Sequence, residues 1–425
     1  MQEKSRDMFK PANELRPGRN RNSLNELRRS LETMPHGADK VKVAALLQLP
    51  PEAILDFSSN INPLAQNWGI TTAALDAMKQ VSAYPEPEPR RFLARLSEKE
   101  KIPQEQVIAG NGGADLIFRT ACTLRLSDNF ERRQDVLIAE PCFGEYRAAF
   151  SAAGFHILSH RLLAEEQFDV NERLLPAINE QLRAVILCHP NNPTGRSIRP
   201  EILSQIAERC REKGVALLLD LCFLDFLPEE LKATKIALAP FLEQRSDFPT
   251  KHTDSETKGR ETSRGHTPAQ ILSFVSFHSL TKLFAIPALR IGWLYCSDRN
   301  LCKKIKALTP PWQVSAPAAA AAEAAMKVPA ATIRGCLEEL AENKSELAEE
   351  LRKFGAKEIQ GEANYLFFQH SDSLLQTKLL LGKRAILIRS CANYEGLGEG
   401  WFRIAVKSAE ENAAFIEQIR ALDIN

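Results

Sequence analysis

The sequence predicts an α/β fold, built on a largely parallel β-sheet and followed by a smaller α+β unit. Three observations support this prediction. Short aliphatic runs alternate with amphipathic stretches through the middle of the chain, polar residues follow those runs, and the pattern changes near residue 330. The length of 425 residues also exceeds what one ordinary core accommodates, so we expect two domains.

The central runs predict buried strands. RAVILCHP (183–190) and VALLLDLCF (215–223) flank PEILSQIAERCREKG (200–214), whose apolar periodicity predicts a helix. ILSFVSFHS (271–279) and RIGWLYCS (290–297) predict two more strands. Such runs between helices are typical of parallel strands with helices on both faces of the sheet, and ligands usually bind where those strands end.

The C-terminal part predicts a different unit. IRGCLEELAENKSELAEELRKFG (333–355) is a charged helical stretch, and residues 410–422 form a closing helix. Between them, YLFFQ (365–369), ILIRS (386–390) and FRIAV (402–406) are strand-like. This order predicts a compact α+β module.

These patterns divide the chain into four parts. Residues 1–33 are basic and polar and are expected to form a flexible extension, and residues 34–75 an N-terminal arm that belongs partly to the small domain. Residues 76–328 are assigned to the large domain and 329–425 to the small C-terminal domain. Within the large domain, 243–269 is rich in Ser, Thr, charge and Gly, so we expect a long, disordered insertion loop.

Composition excludes several classes of protein. A formal net charge of +1 provides no field for collecting nucleic acid or coating an anionic membrane. No apolar run is long enough to span a bilayer, and the N-terminus lacks the apolar core of a secretory signal. An organelle transit peptide is the alternative interpretation of the Arg-containing start, but its acidic residues weaken that interpretation.

The nine cysteines are scattered along the chain. They form no CxxC pair and no metal-ligand spacing, and several lie inside apolar runs, where Cys acts as a small hydrophobic residue. We therefore expect a reducing, cytoplasmic setting and no metal site.

The strongest local signal is SLTKLFAIPALRIG (279–292). Lys282 follows a predicted strand, is flanked by the hydroxyls of Ser279 and Thr281, and precedes Arg290 by eight residues. A lysine amine condenses with an aldehyde, while hydroxyls and a guanidinium hold a phosphate dianion. The motif therefore predicts a lysine that bonds a phosphorylated aldehyde, and a solvated lysine is the weaker alternative.

Three further elements are compatible with that chemistry. GNGGADLIF (110–118) places glycines directly before a helix, where backbone N–H groups can meet a phosphate. In HPNNPTG (189–195), Asn192 can donate to a phenolate oxygen, although an ordinary Asn-Pro turn is the alternative. Asp220 ends an apolar run, where a buried carboxylate needs a cation such as a pyridinium N–H.

Taken in this order, the motifs resemble the class I and II aminotransferases. Within that family, the chain is similar to the threonine-phosphate decarboxylase branch, relatives of the histidinol-phosphate aminotransferases. The stretches that carry this closer similarity are PHGAD (35–39) with ILDFSSNINPL (54–64), YPEPEPRRF (84–92), SLTKLFAIPALRIGWL (279–294) and ILIRSCANYEGLGEGWFRIAVKS (386–408). The resemblance implies the fold type I of pyridoxal-phosphate enzymes, with a seven-stranded, mostly parallel sheet, and it implies pyridoxal 5′-phosphate as cofactor.

The resemblance also implies roles for individual residues. Lys282 becomes the Schiff-base lysine and proton shuttle, Asp220 pairs with the pyridine nitrogen, and Asn192 bonds the ring hydroxyl. Phe143 stacks on the ring. The cofactor phosphate is held by Gly112, Gly113, Ser279, Thr281 and Arg290, and Tyr84 reaches the phosphate in the other subunit of a homodimer.

The substrate pocket implied by the resemblance is lined by His36, Gly37, Asn60, Asn192, Arg389 and Arg403. Two of these residues also indicate a site without reference to any family. Arg389 and Arg403 each lie in an apolar, strand-like run, where a guanidinium needs an anionic partner. Two anion sites suit a substrate with a carboxylate and a phosphate, and an internal salt bridge is the alternative.

The chain departs from the family pattern at several positions. Phe223 replaces the tyrosine that many aminotransferases use to contact the ring oxygen, which leaves more of that contact to Asn192. The threonine-phosphate decarboxylase branch also has phenylalanine there. GNGGAD lacks the acidic residue that usually follows the second glycine, and Ala38 stands where a second glycine is common.

The reaction is inferred from the resemblance alone. It implies decarboxylation of O-phospho-L-threonine to an aminopropanol phosphate for the cobalamin nucleotide loop, or of O-phospho-L-serine to ethanolamine phosphate. The alternatives are a histidinol-phosphate-type aminotransferase and a non-catalytic cofactor-binding regulator. The regulator is disfavoured because the sequence shows no DNA-binding module and has both substrate arginines.

Overall fold

The computed structural model describes residues 39–127, 133–227 and 272–423, together with Leu27, 29–31, Met34 and Gly37. His36, the insertion loop at 243–269 and most of the predicted extension lie outside the described residues.

The strands are short. They are β1 (Ile54–Asp56), β2 (Val107–Gly110), β3 (Asp135–Glu140), β4 (His156–Arg161), β5 (Leu182–Cys188), β6 (Ala216–Asp220), β7 (Phe274–Ser279), β8 (Gly292–Cys296), β9 (Lys357–Gln360), β10 (Tyr365–Gln369), β11 (Ala385–Leu387), β12 (Arg389–Ser390) and β13 (Trp401–Ala405). Every strand predicted from the sequence is present.

The helices in the described ranges vary more in length. They are α1 (Lys40–Leu47), α2 (Ile70–Met78), α3 (Arg90–Glu100), α4 (Gly113–Arg125), α5 (Glu145–Ala152), α6 (Pro200–Lys213), α7 (Arg299–Ala307), α8 (Ala316–Met326), α9 (Ala330–Lys353), α10 (Leu375–Leu381) and α11 (Ala409–Asp423). α6 begins at Pro200 and is followed by Gly214, whose left-handed φ of 61° ends the helix, as its sequence predicts. None of the described helices has the length and apolar character to cross a bilayer.

A seven-stranded sheet forms the centre of the molecule, in the order β2-β8-β7-β6-β5-β3-β4. All neighbours pair in parallel except β8, which is antiparallel to both β2 and β7. The predicted α/β fold with a mostly parallel sheet is therefore confirmed. Two apolar clusters cover its faces. The strands other than the exposed edge strand β4 are therefore buried on both sides, which accounts for their continuous aliphatic runs.

The C-terminal unit contains a four-stranded antiparallel sheet in the order β12-β13-β10-β9. The predicted strand ILIRS is divided at Ile388, because β11 pairs with β1 in a separate parallel pair while β12 pairs with β13. A third apolar cluster forms the core of this unit and includes Phe57, Leu347 and Phe415. The segment around β1 is thereby tied to the C-terminal unit.

Candidate active site

A cavity of about 660 Å³ opens where the parallel strands of the large sheet end. β5, β6 and β7 deliver their carboxyl-terminal residues to one wall, and the C-terminal unit supplies another. Most residues predicted for the site line this cavity: Gly37, Asn60, Gly113, Phe143, Asn192, Asp220, Phe223, Ser279, Thr281, Lys282, Arg290, Arg389 and Arg403. The topology thus brings together side chains from residues 37 to 403.

Three predicted residues do not appear in the cavity wall. His36 lies outside the described residues. Gly112 lies directly behind the wall, against Arg290. Tyr84 is 86% exposed and contacts Trp312, with ring centroids 5.4 Å apart. The role predicted for Tyr84 requires a second subunit and stays a prediction.

Lys282 lies in the turn that follows β7. The loop after β1 holds this turn, because the Asn62 amide donates to the Leu283 carbonyl at 2.8 Å and the Asn62 backbone N–H donates to the Lys282 carbonyl at 3.1 Å. Burial, reinforced by the Arg403 charge, lowers the pKa of the Lys282 amine to about 8. About a tenth of the amine is therefore neutral and nucleophilic at pH 7, far more than for an ordinary lysine.

Asp220 ends β6 and is 4% exposed. The Tyr146 hydroxyl donates to its Oδ2 at 2.5 Å, and the Cys222 backbone N–H donates to Oδ1 at 2.9 Å. Burial raises the pKa of Asp220, and these bonds and the Lys282 charge oppose that rise. A carboxylate so oriented is suited to receive a cationic N–H from a ligand in the cavity.

One end of the cavity can hold a phosphate. Ser279 Oγ and Thr281 Oγ1 lie 2.6 Å apart, and α4 begins beside them at Gly113. Gly112 has a φ of 89°, and a Cβ there would lie 2.8 Å from Nη2 of Arg290. Because Gly112 lacks a side chain, the guanidinium lies close to the helix N-terminus. Hydroxyls, a cation and free N–H groups together form an anion site.

Asn192 and Arg403 are joined across the two units. Arg403 donates through Nη1 to Asn192 Oδ1 and through Nη2 to the Ser58 carbonyl at 2.8 Å. Since a guanidinium can only donate, this bond identifies the amide oxygen and directs the Asn192 NH₂ group away from Arg403. Nε of Arg403 is buried without a hydrogen-bond partner among the described residues.

Arg389 forms the second cationic position. It donates to the Met34 carbonyl at 2.8 Å and to Asn393 Oδ1 at 2.9 Å, and it lies 5.2 Å from the centre of the Tyr394 ring. The N-terminal arm closes this side of the cavity, where a Cβ on Gly37 would lie 2.6 Å from the Ser58 carbonyl.

Several residues that shape the site were not predicted. Tyr146 lies three positions after Phe143 in PCFGEY. The only feature of the sequence that could have indicated its role is its place at the start of a helix that follows a strand. Ser58, Asn62 and Asn393 act through contacts between residues far apart in the chain. No local pattern in the sequence could have indicated those contacts.

Comparison with known proteins agrees with this geometry. Residues 52–419 match the family model for aminotransferase class I and II. Threonine-phosphate decarboxylase of Salmonella typhimurium is 31% identical over 388 residues, which cover 91% of this chain and 95% of that protein. A histidinol-phosphate aminotransferase of Methanococcus maripaludis is 25% identical over 390 residues, with coverage of 90% and 93%.

Among solved structures, the histidinol-phosphate aminotransferase from Clostridium acetobutylicum aligns with a TM-score of 0.70 at 24% identity. The alignment covers 87% of this chain and 99% of that one, and it shows a common fold.

Proposed function

Because this chain belongs to the class I and II aminotransferase family, whose members depend on pyridoxal phosphate, we propose that it decarboxylates a phosphorylated amino acid. The substrate that we propose is O-phospho-L-threonine, with an aminopropanol phosphate as product and the linker of the cobalamin nucleotide loop as its use. O-Phospho-L-serine, which gives ethanolamine phosphate, is a close variant. The observation that carries the proposal is the pair of buried cations, Arg389 and Arg403, on the cavity wall.

The residues present fit the cofactor. The anion site formed by Gly113, Ser279, Thr281 and Arg290 matches its phosphate, and the buried Asp220 carboxylate matches its protonated ring nitrogen. The Lys282 amine lines the same cavity, as a covalent attachment point must. When bound, the cofactor supplies an electron sink that accepts the electrons released from a bond at the substrate α-carbon.

The chain's own residues would then control ring charge and proton position. Asp220, held by Tyr146, keeps the ring nitrogen protonated and so maintains its electron-withdrawing character. Asn192, fixed by Arg403, donates to the phenolic oxygen. Lys282, with a pKa lowered to about 8, takes up or returns a proton at Nζ without a large free-energy cost.

The two arginines supply the substrate contacts in this proposal. Arg403 lies beside Asn192 and is assigned to the carboxylate, and Arg389 is assigned to the phosphate. By holding the carboxylate, Arg403 would also determine which bond at the substrate α-carbon breaks. Asn60, whose buried Oδ1 has no hydrogen-bond partner among the described residues, is available to the ammonium group of the substrate as it enters the cavity, before that nitrogen reacts.

We also propose that the protein acts as a homodimer. Tyr84 and Trp312 form an exposed aromatic pair, and Leu75, Met78 and Val81 are exposed nearby in the sequence. A second subunit that covered this surface would remove it from water and would carry Tyr84 towards the partner's phosphate site. The nine cysteines, none of which forms a disulfide, suit a reducing cytoplasmic setting.

One assay distinguishes decarboxylation from transamination. The enzyme loaded with pyridoxal phosphate is incubated with O-phospho-L-threonine, and separately with histidinol phosphate plus 2-oxoglutarate. Carbon dioxide from the first mixture is expected. Glutamate from the second mixture without carbon dioxide from the first would assign the chain to the aminotransferases instead. Turnover of neither would favour a non-catalytic, cofactor-binding regulator.

A further inference from the structure

We propose that Tyr365 is a positioning residue that sets the hydrogen bond from Asn192 to the cofactor and the orientation of Arg403. This inference rests on the proposed use of pyridoxal phosphate, and it adds a residue that does not line the cavity itself. Tyr365 begins β10 in the C-terminal unit and is completely buried.

The side chain of Tyr365 contacts the active-site wall in three ways. Its hydroxyl donates to the Asn191 carbonyl at 2.7 Å. Its ring packs edge to face against Phe223, with centroids 5.1 Å apart and planes at 75°. The Arg403 guanidinium lies over the same ring, 5.5 Å from its centre. Tyr365 thus contacts the backbone before Asn192, the ring of the cavity-lining Phe223, and Arg403, which we propose binds the substrate.

These contacts act on one hydrogen-bonded unit. Arg403 donates to the Asn192 amide oxygen, so the position of the guanidinium determines where the amide NH₂ points. The Tyr365 hydroxyl fixes the peptide carbonyl that precedes Asn192. Tyr365 therefore contacts both ends of this short segment, beside the Gly195 N–H at the Asn191 carbonyl and the Ser58 carbonyl at Arg403, and a shift of its ring would act on both ends.

The phenylalanine at position 223 makes the orientation of Asn192 more important for the bound cofactor. With no hydroxyl at this position, Asn192 donates to the phenolic oxygen without help from a tyrosine at 223. Tyr365, packed edge to face against Phe223, places its hydroxyl on the Asn191 carbonyl rather than on the ligand. Burial raises the pKa of Tyr365 well above its usual value, so the hydroxyl remains a donor throughout the working pH range.

The test measures the bound cofactor rather than turnover. Wild type and Tyr365→Phe are loaded with pyridoxal phosphate, and the visible band of the lysine–cofactor linkage is titrated with pH. A hydrogen bond to the phenolic oxygen favours the deprotonated linkage, so a weakened bond raises the midpoint. We expect a rise of about 0.5 to 1 pH unit, which is about a three- to tenfold change in proton affinity.

Two comparisons separate this role from simple stabilisation. Thr123→Val removes another buried hydroxyl bond, from Thr123 to the Arg119 carbonyl, and should lower thermal stability with no change in midpoint. In an Asn192→Ala background, Tyr365→Phe should add no further shift, because Tyr365 acts through Asn192.

The inference is overturned by an unchanged midpoint in Tyr365→Phe, by an equal further shift in the Asn192→Ala background, or by failure of Tyr365→Phe to fold. The last outcome would make the hydroxyl a structural requirement. Failure of the proposed function is a separate result. It would appear as wild-type enzyme that shows the visible band and its titration but does not turn over any phosphorylated amino acid.

Discussion

The cavity has a sheet side, with Asp220 and Lys282, and an arginine side, with Arg389 and Arg403. The two sides accommodate buried charge in different ways. On the sheet side, burial disfavours the charged forms of Asp220 and Lys282, and each group partly offsets this effect on the other. On the arginine side, the described hydrogen bonds of Arg403 go to neutral oxygens, the Asn192 amide and the Ser58 carbonyl. The sheet side thus contains an acid and an amine whose protonation neighbouring groups adjust, whereas the arginine side retains positive charge for an anion.

This difference indicates that the two sides have separate roles in the chemistry. The sheet side provides reactive groups whose protonation is tuned by neighbours, and the arginine side provides recognition. Changes on the sheet side should therefore abolish the reaction, while changes on the arginine side should weaken binding and leave the cofactor in place. The first three predictions compare the two sides directly, and the fourth concerns a segment that belongs to neither side.

Lys282→Ala should remove the visible band of the bound cofactor and lower turnover by at least about a thousandfold, because the variant loses both the covalent attachment and the proton carrier. Absorbance spectroscopy and a carbon dioxide assay measure the two effects. Lys344→Ala is the matched control, since burial also lowers the pKa of Lys344 to about 8 while its amine donates to the Glu362 and Ala363 carbonyls. A normal visible band in Lys282→Ala would exclude Lys282 from the role.

Replacing Arg403 or Arg389 with Ala should raise the apparent substrate constant at least about tenfold, because a charge-assisted contact contributes roughly 1.5–3 kcal/mol. The visible band should survive in both variants. Arg403→Ala should also lower the decarboxylation rate and allow pyridoxamine phosphate to accumulate, since the carboxylate is no longer oriented.

Arg420→Ala is the control for the arginine variants, because Arg420 pairs with Glu350 in the same unit and does not line the cavity. Its substrate constant should match that of wild type. Unchanged constants in both active-site variants would rule out the two-anion pocket and with it the phospho-amino-acid substrate.

The rate at which the cofactor-free protein binds free pyridoxal phosphate should increase with pH. The neutral Lys282 amine is the reacting form and its pKa is about 8, so the rate should rise about tenfold per pH unit well below 8 and level off above it. Stopped-flow absorbance between pH 6 and 9.5 gives the midpoint. Arg403→Ala should move it upward, because the arginine charge contributes to the lowered pKa of Lys282. A midpoint independent of Arg403 would mean that the two sides do not interact electrostatically.

Deletion of 243–269 should have the smallest effect, within about twofold of wild-type turnover. The prediction rests on composition, since the segment lies outside the described residues and its sequence has little apolar surface to bury. Thermal unfolding and turnover are measured together. Strongly reduced turnover with unchanged thermal stability would assign the segment a role over the active site.

The sheet side was the more predictable of the two from sequence. Lys282, Asp220 and Asn192 each follow a recognisable aliphatic run, and chain order alone places the ends of parallel strands at one edge. The reversal of β8 was not predicted, because an aliphatic run has the same pattern in either direction. Strand type is visible locally, but strand direction depends on the connecting turn.

The arginine side was less predictable. Arg389 and Arg403 were identified as buried cations, yet their partners come from Met34, Ser58 and Asn192, which lie far away in the chain. No local pattern predicted the break of ILIRS at Ile388 either, because the break arises from the pairing of β11 with β1, which lies far away in the chain. Contacts of this kind depend on tertiary packing, which propensity and periodicity do not encode.

The backbones of the two units meet at Gly195 and Gly361, where a Cβ on Gly195 would lie 2.5 Å from the Gly361 Cα and a Cβ on Gly361 would lie 2.1 Å from the Tyr365 carbonyl. Both glycines have positive φ, so a side chain at either position would also strain the backbone. This contact limits how the protein can evolve. Cavity-lining positions that contact only the substrate can vary as specificity changes, whereas we expect these two positions to retain glycine. In a library selected for a new substrate, we expect every surviving clone to retain both glycines.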